Sequence, residues 1–143
     1  MKWLLDTCAI SELVSRKPSK KVIEWIDSID SDSLYLSVIT IGEIRKGIEK
    51  LPDSKRRNEI RNWLTEDLFL RFKDRLLPLD SAVMLTWGAL TGRLEREGTR
   101  MSAIDSLIAA TALHHDFILV TRNEEHFANS QVKVFNPWND KNG

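Results

Sequence analysis

Short apolar runs that stop abruptly alternate along this chain with stripes of apolar residues three and four positions apart. That alternation constrains the fold more than any other feature, because the two periods belong to strands and to helices. Trp3-Leu4-Leu5 stops at Asp6, Leu34 to Ser37 alternates briefly, Leu76-Leu77 stops at Pro78, and Phe117 to Val120 stops at Thr121. Each reads as a strand, and Val132 with Val134 marks a last one. Between them come a short helical stretch through Ile10, Leu13 and Val14, punctuated by Pro18 and Ser19, and a stripe of Val22, Ile23, Ile26 and Ile29. Ile41, Ile44, Ile48 and Leu51 form a stripe ending at Pro52, and Ile60, Trp63, Leu64 and Leu68 form another. Val83, Trp87, Leu90 and Leu94 predict a long helix that stops near Gly98. Ile104 to Leu113 is apolar nearly all round, so that helix is predicted to be buried. Strands alternating with helices predict an α/β fold with a parallel sheet covered on both faces. In such sheets function gathers beyond the carboxyl ends of the strands.

A chain of 143 residues fits one domain, and it can bury a core without disulfides. The expectation is a single domain over 1–139 with a loose tail at 140–143. Cys8 is the only cysteine, which excludes an internal disulfide and suits a reducing cytoplasm. No stretch is long enough to span a membrane, and the apolar start is too short for a signal peptide. Net charge is zero, which argues against tight general binding to nucleic acid and leaves room for transient binding by a nuclease. Lys55, Arg56 and Arg57 form one basic cluster, and Arg71, Lys73 and Arg75 another. Both read as solvated helix faces.

Three carboxylates stand out by placement. Asp6 ends the first strand, Glu43 lies off the apolar stripe early in its helix with Gly47 one turn on, and Asp105 opens the apolar helix. Each also has a purely structural reading. Asp6 or Thr7 caps the next helix; Ser102-Ala103-Ile104-Asp105 is a capping-box pattern; Glu43 is a solvated helix residue. Spacing alone does not choose between the readings.

Five pieces taken in order do choose. Leu4-Leu5-Asp6-Thr7, then Ser37-Val38-Ile39-Thr40-Ile41-Gly42-Glu43-Ile44, then Asp105-Ser106-Leu107-Ile108-Ala109-Ala110-Thr111-Ala112, then Val120-Thr121-Arg122-Asn123, and finally Phe135-Asn136-Pro137-Trp138 resemble PIN-domain nucleases nearly end to end. The chain is most similar to the VapC toxin and FitB-like group. The resemblance implies a three-layer α/β/α fold with a central, mostly parallel sheet. It implies a metal-dependent endoribonuclease acting as the toxin of a toxin–antitoxin pair. It brings Asp6, Glu43 and Asp105 together as catalytic, metal-binding acids, with Thr7 and Thr121 as supporting hydroxyls. The implied cofactor is Mg²⁺ or Mn²⁺, and the implied partners are RNA, a small antitoxin and a second copy of the chain. Arg45, Lys46 and Arg122 are candidate contacts to RNA phosphates. One departure stands out: many relatives carry a further acid after the penultimate strand, where this chain has Asn123. That departure motivates an alternative, a catalytically weak PIN-fold module that binds RNA or serves as a scaffold.

The chemistry needs such clustering. Phosphodiesters are anionic and repel hydroxide, and a hard cation held by oxygen ligands offsets that repulsion. Other α/β phosphoryl-transfer folds also place an aspartate at a strand end. The Asp-x-Asp of haloacid-dehalogenase-like enzymes is missing, because position 8 is Cys8, and the pattern of a receiver domain is not evident. His114, His115 and His126 lack the partners of a zinc site. Cys8 reads as a small buried thiol. Trp25, Trp63 and Trp87 read as core or interface residues, and Trp138 as a lock for the C-terminus.

Overall fold

The computed structural model describes residues 1–139; the expected tail, 140–143, lies outside the described residues. Its strands are β1 (Trp3–Leu5), β2 (Leu34–Ser37), β3 (Leu76–Leu77), β4 (Ile118–Val120) and β5 (Val134–Phe135). They lie in the order β3-β2-β1-β4-β5, and every pairing is parallel. The helices are α1 (Thr7–Ile10), α2 (Lys20–Ser28), α3 (Val38–Glu49), α4 (Lys55–Asn62), α5 (Phe69–Arg71), α6 (Ser81–Arg96) and α7 (Ala103–His115). The α/β/α expectation holds, and no helix among the described residues is long and apolar enough to cross a membrane.

The strands are short, so the alternation of side chains decides the layers. Leu5 and Val120 point into one core, with Ile10, Ile26, Ile44, Leu68 and Phe72. Leu4 and Leu119 point into the other, with Leu90, Leu94, Ile108 and Ala112. All four strand residues are 0% exposed. Truncating either leucine of β1 to alanine is expected to cost about 2–5 kcal/mol.

Helix ends follow local chemistry. Ser19, Ser37, Ser54, Asp80 and Ser102 each accept a hydrogen bond from a backbone N–H in the first turn of the helix that follows. Helix α6 stops as Gly98 suggested. Gly98 takes φ +74°, its N–H donates to Glu95 O at 3.2 Å, and Thr99 N–H donates to Leu94 O at 2.9 Å. These are the paired bonds of a Schellman ending.

Two expectations need correction. The stripe through Ile60 and Leu68 is not one α-helix: α4 passes into a π-helical stretch, Trp63–Leu68, before α5. Leu64, Leu68 and Phe72 are all buried and recur every four residues, more than an α-turn holds. The wider i→i+5 turn takes up the difference. The basic clusters are not merely solvated faces. An Arg56 guanidinium nitrogen donates to Val14 O, Arg57 Nε donates to Ile48 O at 3.3 Å, and Arg75 Nε donates to Leu34 O at 2.9 Å. Segment ends leave carbonyls without intrahelical partners, and the arginine fork supplies donors for them.

The C-terminal segment is tied down as expected. Trp138 Nε1 donates to Glu12 Oε1 at 3.3 Å, and the Arg122 guanidinium lies 5.1 Å from the Trp138 ring. Asn136 Oδ1 accepts from Trp138 N–H at 2.9 Å.

Candidate active site

β1 lies between β2 and β4, so the residues that follow β1, β2 and β4 meet at one edge of the sheet. Asp6 comes first after β1 and is 7% exposed. Both of its oxygens are occupied in part. Oδ1 accepts from Thr7 N–H at 2.8 Å, and Oδ2 accepts from the Thr121 hydroxyl at 2.8 Å. The cap of α1 and a place in the site are therefore compatible roles for Asp6. Burial pushes the Asp6 carboxyl above its ordinary range, and the nearby negative charge of Asp105 pushes it the same way. Hydrogen bonds from Thr121, Thr7 and the Cys8 thiol pull it back.

Glu43 comes from α3, which starts where β2 ends. The Thr7 hydroxyl donates its one proton to Glu43 Oε1 at 2.5 Å, and the Thr40 hydroxyl lies 3.3 Å from the same Thr7 oxygen. Thr7 thus joins Asp6 to Glu43 through its amide and its hydroxyl. Asp105 lies in the first turn of α7, where its own N–H donates to Ser102 Oγ at 3.2 Å. The positive end of the helix favours an anion there. The capping-box reading is half realised, since the Asp105 carboxylate turns to His126, with Nδ1 to Oδ2 at 3.4 Å.

Asp6, Thr7, Glu43, Asp105 and Thr121 thus form one neighbourhood. It is not a closed cage. Among the described residues, no three acid, histidine or cysteine side chains are grouped closely enough to enclose an ion by themselves. Neither Asp6 nor Glu43 forms an ion pair with a lysine or arginine among the described residues.

The remaining candidates spread out. Asn123 is exposed, and its N–H donates to Thr121 Oγ1 at 3.1 Å, so its backbone braces the hydroxyl that holds Asp6. It shares a shallow pocket with Arg122, Glu124, Glu125 and His126. Arg45 pairs with Glu49 at 3.0 Å on a face of α3 that also meets Arg57 and Arg61. Lys46 lines a groove of about 570 Å³ beside Glu43, with Gly47, Lys50, Leu79, Ile104 and Leu107. Gly47 has nothing near the place a Cβ would occupy, so it leaves the groove open.

Two residues of this edge make contacts that the sequence reading did not assign them. Cys8 is half-buried in the wall of the site, with its sulfur 3.8 Å from Asp6 Oδ2 and 3.6 Å from Thr121 Oγ1. Burial and the Asp6 charge push its thiol up, which keeps it protonated. His126 follows β4 in a 3-10 turn, Glu124–Phe127, and nothing in its spacing announces the contact with Asp105. The only available signal is that it lies shortly after a strand end at the working edge of the sheet.

Comparison with known proteins identifies the family and the fold. The family model described as PIN domain matches residues 3–131. The chain is 36% identical over 137 residues to Toxin FitB of Neisseria gonorrhoeae, covering 96% of this chain and 99% of that one. It is 35% identical over 135 residues to a VapC ribonuclease of Sinorhizobium fredii, covering 94% and 96%. A solved structure described as FitAB bound to an IR36 DNA fragment superposes with a TM-score of 0.90 at 34% identity, covering 96% of each chain.

Proposed function

This chain belongs to the PIN-domain family, and on that premise we propose that it is a metal-dependent endoribonuclease acting as the toxin of a toxin–antitoxin pair. The observation that carries the reading is the placement of Asp6 at the carboxyl edge of the sheet, joined to Glu43 through Thr7, held by Thr121 and within reach of the Asp105 charge. The names of the relatives support it: one is a toxin and another a VapC ribonuclease.

The residues fit a hard divalent cation. Asp6 is buried with the negative charge of Asp105 nearby, and no lysine or arginine among the described residues is paired to it. Magnesium prefers one or two carboxylates together with several waters, so an open set of acids suits it better than a closed cage. Asp6, Asp105 and Glu43 would hold Mg²⁺ or Mn²⁺. When bound, the ion would activate water and stabilise negative charge on the phosphate. The chain's own contribution is orientation. Thr121 and the Thr7 amide fix Asp6, and the Thr7 hydroxyl fixes Glu43. Lys46 and Arg122 stand at two sides of this edge as phosphate contacts.

The apolar groove beside Glu43 suits a partner segment. Ile39, Leu79, Ile104 and Leu107 offer apolar surface, and a basic residue of an antitoxin would find the acids at its end. The FitAB description of a solved neighbour supports such a partner. A homodimer is proposed through helical surface of the N-terminal half and α6, where Met84 and Leu85 are exposed.

RNA-end mapping after induced expression tests the activity. Cleavage that needs a divalent ion and leaves 5′-phosphate ends is expected, with none from folded Asp105→Asn. Asn123, which is exposed and carries no negative charge, is the observation behind the second reading, a weak or inactive RNA-binding module. Binding of RNA without cleavage at any divalent ion would favour that reading. Co-purification tests the toxin reading: a small partner should travel with the protein, and its removal should release cleavage.

A further inference from the structure

We propose that the pocket beyond Asp105 is a base-reading subsite, which seats one unstacked purine of the RNA next to the phosphate to be cleaved. The inference rests on the nuclease reading above. The pocket lies between the loop that joins α6 to α7 and the turn Glu124–Phe127. Arg100, Met101, Asp105, Glu125, His126 and Asn129 contribute to its lining. Its volume is about 340 Å³, roughly ten times a water's share of the liquid. Asp105 belongs both to this pocket and to the acidic edge, so whatever sits here is a neighbour of the reacting phosphate.

Single-stranded RNA is read by splaying a base out, stacking it on a flat side chain and hydrogen-bonding its edges. The pocket supplies each element. One edge of the His126 ring is tied to Asp105, which leaves the ring face for stacking. Met101 adds half-buried apolar surface. The Asn129 side-chain amide, one donor group and one acceptor, has no partner among the described residues. Its backbone is held in place, because Arg93 Nη2 donates to Asn129 O at 3.1 Å. Arg100 is 78% exposed and meets Glu95 at 3.4 Å. Such a pair is weak and gives way easily. A guanidinium and an amide beside a stacking ring match the N7 and O6 or N6 groups of a purine, which pyrimidines lack in that pattern. Glu125 stands ready to accept from a base N–H. Overall charge is zero, so phosphate attraction alone gives little affinity, and a base contact should be visible in the rates.

Short single-stranded RNAs that share one cleavage site and differ at one flanking nucleotide test the proposal. The wild type is expected to show at least a tenfold preference in kcat/KM for a purine at one position. Arg100→Ala and Asn129→Ala should each reduce it to threefold or less, with the larger loss of kcat/KM on the purine RNA. An unchanged preference in both variants overturns the subsite and leaves the nuclease reading standing. No cleavage by the wild type under any divalent ion overturns the nuclease reading. In metal-free solution the His126 ring resonances should shift with guanosine 5′-monophosphate and not with cytidine 5′-monophosphate. Equal or absent shifts overturn the subsite without reference to activity.

Discussion

At the carboxyl edge of the sheet, Asp6 is buried beside Asp105 with no lysine or arginine paired to it among the described residues. At the amino edge the chain covers its own charge. The Lys2 ammonium lies 5.4 Å from the Tyr35 ring and 5.9 Å from the Phe117 ring, and those rings stand 4.7 Å apart. His115 packs on the same Phe117, 5.4 Å between centroids. The same strands therefore end in two ways. One end is closed by contacts within the chain, as a structural edge should be. The other is left electrostatically incomplete, as the proposed cation site requires. A residue at the first end should matter for stability, and a residue at the second for activity.

The largest expected effect is on catalysis. Asp6→Asn, Glu43→Gln and Asp105→Asn should each lower RNA cleavage at least about a hundredfold, or about 2.7 kcal/mol of barrier. Circular dichroism should remain that of the wild type. Asp6→Asn should also melt no lower than the wild type without metal, because burial and Asp105 both oppose its charge. A folded Asp6→Asn that cleaves normally would erase the contrast between the two edges.

Next comes the closed edge. Phe117→Ala is expected to cost about 3 kcal/mol, at the low end of the range because the ring is only half-buried. Urea unfolding measures it. Cleavage per folded molecule should be unchanged, and a matched loss of activity would show that the amino edge also serves the site.

Asn123→Asp sharpens the comparison by adding charge to the incomplete edge. It should tighten Mg²⁺ or Mn²⁺ binding about fivefold, near 1 kcal/mol, since charge count governs affinity at hard-cation sites. Calorimetric titration checks this. Superimposable isotherms for two folded proteins would put Asn123 outside the metal's reach.

The smallest effect is the pH dependence of stability, and its sign differs between the edges. The Asp6 carboxyl is raised in the folded state. Its contribution is fully present below its unfolded value of 3.8 and is lost as pH rises through the folded value. His115 is lowered by burial and then by His114, against a weaker opposite pull from Asp80. Its contribution is present above its unfolded value of 6.5 and is lost as pH falls through the folded value. Thermal melts of Asp6→Asn and His115→Gln across pH should each remove one of these slopes. Identical pH profiles in both variants and the wild type would count against the reading of both edges.

Much of this was legible in the residues. Apolar runs stopping at Asp6, Pro78 and Thr121 marked strands whose ends lie where sequence placed them, within a residue at Phe117, whereas the last strand starts at Val134 and leaves out Val132. The serines and Asp80 before helices acted as local caps. Glu43 and Asp105 were noticeable only beside a family pattern, because an acid early in a helix is ordinary for local reasons. Arg56, Arg57 and Arg75 were misread as solvated, since the carbonyls they meet belong to distant segments. The π-helical turn was hidden because a repeat of four reads as an α-helical stripe.

The sequence by itself determined the layers, the strand ends and the local caps, because period, turn residues and side-chain acceptors act within a few positions along the chain. Only the tertiary structure decided that the Thr7 hydroxyl meets Glu43 across 36 positions, that Thr121 holds Asp6 across 115, and that His126 faces Asp105. Parallel strand order sets those meetings, and neither spacing nor composition fixes the order in which strands pair.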